Sequence, residues 1–222
     1  MIFFNLCKCI LISTLVKFNI YNDKLLKILI RKIYNCGVIT VKMVQWGLPY
    51  MKLINIDSKI IDILENTYEK CPIHDVNFTK EIYKYDFYTD LDNDYDIIDV
   101  VGSGSIAQVY KIKSKKTNKI YAMKVKHPNA RRDFELIKMY LRIIFTLFSF
   151  NKLIPVNLNE FLNQFEDQLD FINESNNLIR FGKLYKNNNL YKIPKLYKLS
   201  ENIIIMEYIS GKSLETIDHN SI

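Results

Sequence analysis

The sequence predicts an α+β fold: a helical N-terminal region, then a small antiparallel sheet with packed helices. Three observations carry this. Stretches with helical apolar spacing occupy Asp23 to Tyr34, Ser58 to Glu69, Ala130 to Phe150 and Glu160 to Lys186. Two short β runs, Ala107 to Ile112 and Ile120 to Val125, flank the polar turn Ser114-Lys115-Lys116-Thr117-Asn118-Lys119, which is a hairpin signal. Two further β runs, Leu190 to Leu199 and Asn202 to Tyr208, follow the last helix.

Bulk composition narrows the class. With 222 residues, 49% hydrophobic and 25% charged, the chain can bury a real core and is not a disordered segment. The net charge of +7 comes from scattered lysines, which fit a solvated surface or loose attraction to anionic membranes or nucleotides. No stripe of lysines and aromatics marks a nucleic-acid surface, so no nucleic-acid partner is expected. Cys7, Cys9, Cys36 and Cys71 lack C-x-x-C spacing, and His74, His127 and His219 do not cluster with them in sequence. That argues against a zinc site and a disulfide scaffold, and fits reduced thiols in a cell interior.

From the N-terminus, Met1 to Ile20 is apolar but broken by Lys8 and Lys17; its clean run, Cys9 to Val16, is too short for the roughly 20 residues of a membrane span. It reads as a helix packed on the domain or resting on a membrane, with a targeting segment as the alternative. Asp23 to Tyr34 is a basic amphipathic helix that Gly37 ends. Val38 to Met51 reads as another helix, with Lys42 and Gln45 on one face. Ser58 to Glu69 follows with Ser58 as its cap, and Cys71-Pro72 ends it. Asp75 or Asn77 caps a short helix reaching Tyr85. The expected organisation is a helical extension over 1–85, an acidic linker over 86–96, and a sheet-bearing lobe over 97–222.

Ile97 to Val101 is an apolar run that ends in Gly102-Ser103-Gly104-Ser105, ahead of the hairpin. Glycine lacks Cβ, so such a turn lets the backbone approach a bound group, and its N–H groups suit phosphate oxygens. Lys124 sits inside the hairpin's second apolar strand. An unpaired buried ammonium is costly, so Lys124 needs an anion: a ligand phosphate or a carboxylate elsewhere. The glycines lack the G-K-[ST] of a Walker A loop, and a strand rather than a dinucleotide-binding helix follows them. From these residues alone, an ordinary Gly-Ser hairpin with an edge lysine remains the alternative. After the turn His127-Pro128-Asn129 and an apolar helix, Pro155 interrupts, and Asn157 or Asn159 caps a long helix. On that helix Asp167, Asp170, Glu174 and Asn177, spaced 3, 4 and 3, form a polar stripe. Taken alone Glu174 reads as a solvated helix-face carboxylate, with pairing to Lys124 as the alternative.

The run Gly102 to Val109 fits the kinase pattern G-x-G-x-x-G-x-V except for Ala107, and Tyr121-Ala122-Met123-Lys124 stands where kinases carry V-A-I-K. Six runs resemble the UbiB-type atypical kinases, a family tied to coenzyme Q biosynthesis. They are Ser103-Gly104-Ser105-Ile106-Ala107-Gln108-Val109-Tyr110; Ala122-Met123-Lys124-Val125-Lys126-His127-Pro128; Gln168-Leu169-Asp170-Phe171-Ile172-Asn173-Glu174-Ser175-Asn176-Asn177; Ile193-Pro194-Lys195-Leu196-Tyr197; Met206-Glu207-Tyr208-Ile209-Ser210-Gly211; and Val41-Lys42-Met43-Val44-Gln45-Trp46, similar to K-x-G-Q.

The resemblance implies a protein-kinase-like N-lobe and ATP, with Mg, as ligand. Gly102, Ser103, Gly104, Ser105, Ala107 and Val109 would form the phosphate loop. Lys124 would hold phosphate and pair with Glu174, while Glu207 and Tyr208 would stand at the adenine hinge. Lys42, Gln45, Gln168 and Asp170 would take regulatory places, the first two in an extension that obstructs a protein substrate. Gln168 departs from the family's E-x-D, Val44 from the glycine of K-x-G-Q, and the glycines from an alanine-rich loop.

No H-x-D loop and no D-F-G aspartate follow the hinge run, and no metal ligands are assigned. The expectation is therefore a truncated or split upper lobe with a partial ATP site, not catalytically competent alone. It would take nucleotide and a separate C-lobe polypeptide as partners. The alternative is a pseudokinase-derived binding module acting on a protein or at a membrane surface. The expected location is intracellular, with membrane or organellar association through the N-terminal helices.

Overall fold

The computed structural model describes residues 22–35, 58–69, 73–148 and 157–211, and the single positions 5, 8, 42, 48, 49 and 52. The four cysteines, Gln45, Val44, most of Met1 to Ile20 and Asp218-His219-Asn220 lie outside them. The described elements are α1 (Asp23–Asn35), α2 (Ser58–Glu69), α3 (Val76–Phe87), α4 (Leu91–Asp94), β1 (Tyr95–Ser103), β2 (Ala107–Ser114), β3 (Ile120–Lys126), α5 (Ala130–Phe148), α6 (Leu158–Leu169), α7 (Phe171–Leu184), β4 (Leu196–Leu199) and β5 (Ile203–Glu207).

The chain divides into two compact units. One takes the described residues up to Thr79 with Gly102–Gln108 and Lys126–Asp170. Its helices bury one apolar stripe each: Leu26 and Leu29 on α1, Ile60, Ile61 and Leu64 on α2. The Asn22 side chain caps α1 by accepting from the Leu25 N–H at 2.9 Å. Phe134 of α5 stacks on Phe165 of α6 at 5.4 Å, both fully buried. Lys138 and Arg131 of α5 donate to Glu166 of α6 at 2.8 and 3.2 Å. These two cations hold the Glu166 carboxyl below the usual range, the Lys138 hydrogen bond being the larger cause.

The other unit takes Lys80–Val101, Val109–Val125 and the described residues from Phe171 onward. The five strands form one sheet in the order β1-β2-β3-β5-β4, with β5 antiparallel to both β3 and β4. Side chains alternate across a strand. Tyr121, Met123, Val125, Ile203 and Ile205 therefore share one face, where they meet Tyr83, Leu91, Tyr110 and Ile112 in the core. The Tyr83 hydroxyl donates to Asp94 at 2.6 Å, and burial and that carboxylate push its pKa up.

The fold is the expected α+β lobe, with three differences. The stretch 86–96 is not a plain linker: Leu91 is buried, and Asp86 accepts from the Ser200 hydroxyl at 2.6 Å and the Asn202 side-chain amide at 3.2 Å. The long helix from Glu160 to Lys186 is two helices, because Asp170 takes extended angles (φ −89°, ψ 93°) and its N–H turns back to the Asp167 carbonyl at 3.2 Å. Asp167 and Glu174 thus lie on different helices, and the polar stripe does not run through. Residues 190–195 are irregular, so β4 is shorter than expected.

Candidate functional site

Lys124 lies on the sheet face opposite the core. In the β3–β5 register it stands against Ile204, and Ala122 against Met206. Ala122, Lys124, Ile204 and Met206 therefore share that face, with Ile204 only 1% exposed. Lys124 Nζ donates to both Glu174 oxygens, at 2.6 and 2.7 Å. The ammonium also stands 4.9 Å from the Phe171 ring centroid.

The break at Asp170 explains this geometry. Ending α6 there makes Phe171 the first residue of α7. Phe171 is fully buried and anchors the helix start. Residues three apart share a helix face, so Glu174 lies on the side that Phe171 presents. One helical turn thus supplies both an aromatic face and a carboxylate to the same cation. The lysine keeps 24% side-chain exposure and the glutamate 39%, so both stay within reach of a solute.

At the end of β5, Glu207 is already engaged. Its N–H donates to the Lys195 carbonyl at 2.8 Å, and its carboxylate accepts from Lys192 at 3.1 Å. Lys192 is the main reason the Glu207 carboxyl is held below its usual range. The Tyr208 ring lies under Lys111 Nζ at 4.8 Å. Gln168 is an exposed residue of α6, Asp170 ends that helix, and Lys42 is a half-buried helical residue.

In the other unit, the loop Gly102–Gln108 is tightly tied. The Gly104 N–H donates to the Ala107 carbonyl at 2.9 Å, so this amide is spent within the turn rather than left for an anion. Neither Gly102 nor Gly104 uses the left-handed region, and a Cβ on either meets no close obstacle. The alanine-rich loop that the motif resembles would fit this backbone. Ser103 and Ser105 are half-buried, Ala107 is buried, and Val109 stands on β2 in the sheet unit. Gln108 is 1% exposed; its Oε1 accepts from the His74 N–H at 2.9 Å, and its Nε2 has no partner among the described residues.

A five-stranded sheet bearing a lysine–glutamate pair from strand and helix defines a kinase-like upper lobe. The chain belongs to the ABC1 atypical kinase-like family, whose domain matches residues 66–221. This is the UbiB-type group that the motifs resemble. Two relatives align with it. A chloroplastic aarF domain-containing protein kinase of Arabidopsis thaliana is 28% identical over 124 residues, 53% of this chain and 18% of the relative. An ABC1 family protein of Schizosaccharomyces pombe, an MCP2 homolog, is 27% identical over 156 residues, 67% of this chain and 28% of the relative. The chain thus spans less than a third of the length of either relative.

Sequence reasoning passed over Phe171, Met206 and the histidines. Phe171 reads as one more apolar helix position, and only the break at Asp170 gives it its place. Met206 could have been found from strand alternation, had the register with Ala122 been known. His74 and His127 are 53 residues apart, and nothing in their spacing joins them.

Proposed function

We propose that this chain is the nucleotide-binding upper lobe of an atypical kinase, with Lys124 as the cation for ATP phosphates and Glu174 as its positioning carboxylate. The observation that carries this is the two-oxygen contact of Glu174 on Lys124 Nζ. A lysine inside an apolar sheet, held by a helix carboxylate yet partly exposed, suits an anionic ligand better than a structural ion pair. Ala122 and Met206 share the Lys124 face and suit the flat apolar surface of adenine. Glu207 and Tyr208 follow at the hinge. By motif, Gly102, Ser103, Gly104, Ser105, Ala107 and Val109 serve as the phosphate loop.

ATP itself fits this chemistry, since Lys124 offers a held cation. Mg2+ is different: among the described residues no group of three or more His, Cys, Asp or Glu side chains could hold it. Phosphoryl transfer also needs metal-binding carboxylates and an oriented nucleophile. We assign those parts to a lower lobe, continuous with this chain or separate; without it the chain binds nucleotide and does not turn it over.

Calorimetric ATP titration of wild type and Lys124→Ala tests the reading. A charged hydrogen bond contributes about 1.5–3 kcal/mol, so the variant should bind at least about tenfold more weakly. Equal affinity for both proteins would remove Lys124 from the site.

A second reading, a binding module at an anionic membrane surface, rests on α1. Lys24, Lys27 and Arg31 recur there at helical spacing beside the exposed Ile28. Among the described residues no helix is long and apolar enough to cross a membrane. The chloroplastic name of one relative suits an organellar setting. Flotation with vesicles containing anionic lipid should retain the full chain and lose one lacking residues 1–35; equal recovery would reject this reading.

A further inference from the structure

A half-buried polar cluster shares no residue with the Lys124 site. It lies within the unit that contains the loop Gly102–Gln108, and it centres on two histidine rings. His74 Nδ1 and His127 Nδ1 are 2.8 Å apart. His74 Nε2 is 2.9 Å from the Thr79 hydroxyl. His127 Nε2 is 2.9 Å from the Gly104 carbonyl and 3.4 Å from the Ser103 hydroxyl.

These contacts fix where the protons are. A carbonyl can only accept, so His127 Nε2 carries hydrogen and donates to Gly104. In a neutral ring His127 Nδ1 is then an acceptor. His74 Nδ1 must therefore carry hydrogen and donate to it, which leaves His74 Nε2 to accept from the Thr79 hydroxyl. The four groups form one directed chain: Thr79 to His74 to His127 to the Gly104 carbonyl. The two histidines hold opposite tautomers, and the chain uses one proton between the rings.

The same two residues grip the loop by their backbones. The His127 N–H donates to the Ile106 carbonyl at 2.9 Å, and the His74 N–H donates to Gln108 Oε1 at 2.9 Å. The loop is thus held at Gly104, Ile106 and Gln108 by two histidines.

We propose that His74 and His127 form an acid-sensitive latch that holds the phosphate loop in register and releases it when the pair takes up two protons. This regulation rests on the nucleotide-binding reading for its purpose, though not for its existence. A first added proton can be accommodated: His74 turns to the other tautomer, donates to the Thr79 oxygen, and the rings share the remaining proton. A second sets two N–H groups head to head at 2.8 Å, and the rings must part. The Gly104 carbonyl then loses its ring donor.

Burial of both rings opposes protonation, and Asp75 and the Gly104 carbonyl favour it. His74 is faced by His127, Asp75, the Phe78 ring at 5.2 Å and Thr79; His127 is faced by His74, Ser103 and the Gly104 carbonyl. Burial first, then His127, lowers the His74 pKa to about 4, with Asp75 offsetting part of this; burial also lowers His127 against the help of Gly104. The pair is neutral at pH 7 and the latch is closed there.

Nitrogen-15 NMR of the histidine rings in the full chain, without nucleotide, tests the latch directly. At pH 7 one ring should be in the Nδ1–H form and the other in the Nε2–H form. Two rings averaging between tautomers as free imidazole does would overturn the proposal. Amide exchange of Gly104, corrected for its intrinsic pH dependence, should lose about tenfold protection between pH 7 and 4. His127→Ala should show that loss already at pH 7. His127→Gln keeps an amide donor near the Gly104 carbonyl but cannot titrate, so its protection should persist and stay flat with pH. A Gln variant as acid-sensitive as wild type would sink the latch. If the rings and exchange behave as expected but ATP binds neither protein, the nucleotide reading fails and the latch stands.

Discussion

Lys124 and His74 represent two ways in which a fold handles a titratable side chain. Lys124 keeps a quarter of its side chain exposed and meets an acid, so its charge remains available to a ligand. His74 is held as a neutral ring between a hydroxyl and a second imidazole. Its folded pKa of about 4 lies below the value of about 6.5 for an unfolded histidine. Between those values the unfolded chain binds more protons, so stability rises with pH. The His74 contribution is complete above about pH 6.5 and is lost as pH falls toward 4. Urea midpoints at pH 7 and pH 5 should therefore separate more for wild type than for His74→Gln, which has no ring to protonate. Parallel losses in the two proteins would show that His74 is not held neutral.

The elements carry unequal shares of the stability. β5 lies between β3 and β4, and Ile203, Ile204 and Ile205 are all buried. Ile205 is fully buried in the core cluster, whereas Ile98 on β1 is about half exposed. Ile205→Ala should cost about 2–5 kcal/mol through lost burial and the cavity left behind. Ile98→Ala should cost about 0.5 kcal/mol or less. Chemical denaturation of the two variants checks this contrast, and similar losses would mean that β5 does not anchor the core. The α6–α7 break follows a related logic. A continuous helix would keep Asp167, Asp170 and Glu174 on one stripe; the break at Asp170 frees α7 to start with Phe171 buried and Glu174 at Lys124.

Across the whole molecule, each of the two units carries candidate functional residues of its own. The sheet unit holds Lys124, Glu174, Glu207 and Tyr208, and the other holds the glycine loop and the histidine pair. Family membership covers residues 66–221, so it includes parts of both. The charge of +7 is spread over the chain, with Lys24, Lys27, Arg31 and Lys32 on α1 and Arg131, Arg132, Lys138 and Arg142 on α5.

Local chemistry made much of this legible from the residues in order. Alternating β runs, the polar turn at Ser114 to Lys119, caps such as Asn157, and a lysine that needed an acid are all short-range signals. Asn157 does accept from the Glu160 N–H at 3.2 Å. That Lys124 needs an anion was legible because an isolated ammonium in an apolar strand is physically incomplete; Glu174 as that anion followed from the kinase resemblance. Other features depend on which distant groups the chain brings within hydrogen-bond range: the break at Asp170, the anchoring of Asp86 by Ser200, the β3–β5 register that gives Met206 its face, and the meeting of His74 with His127. A neutral imidazole carries no charge that demands a partner, so no residue-by-residue signal announced that pair; packing brought the rings together.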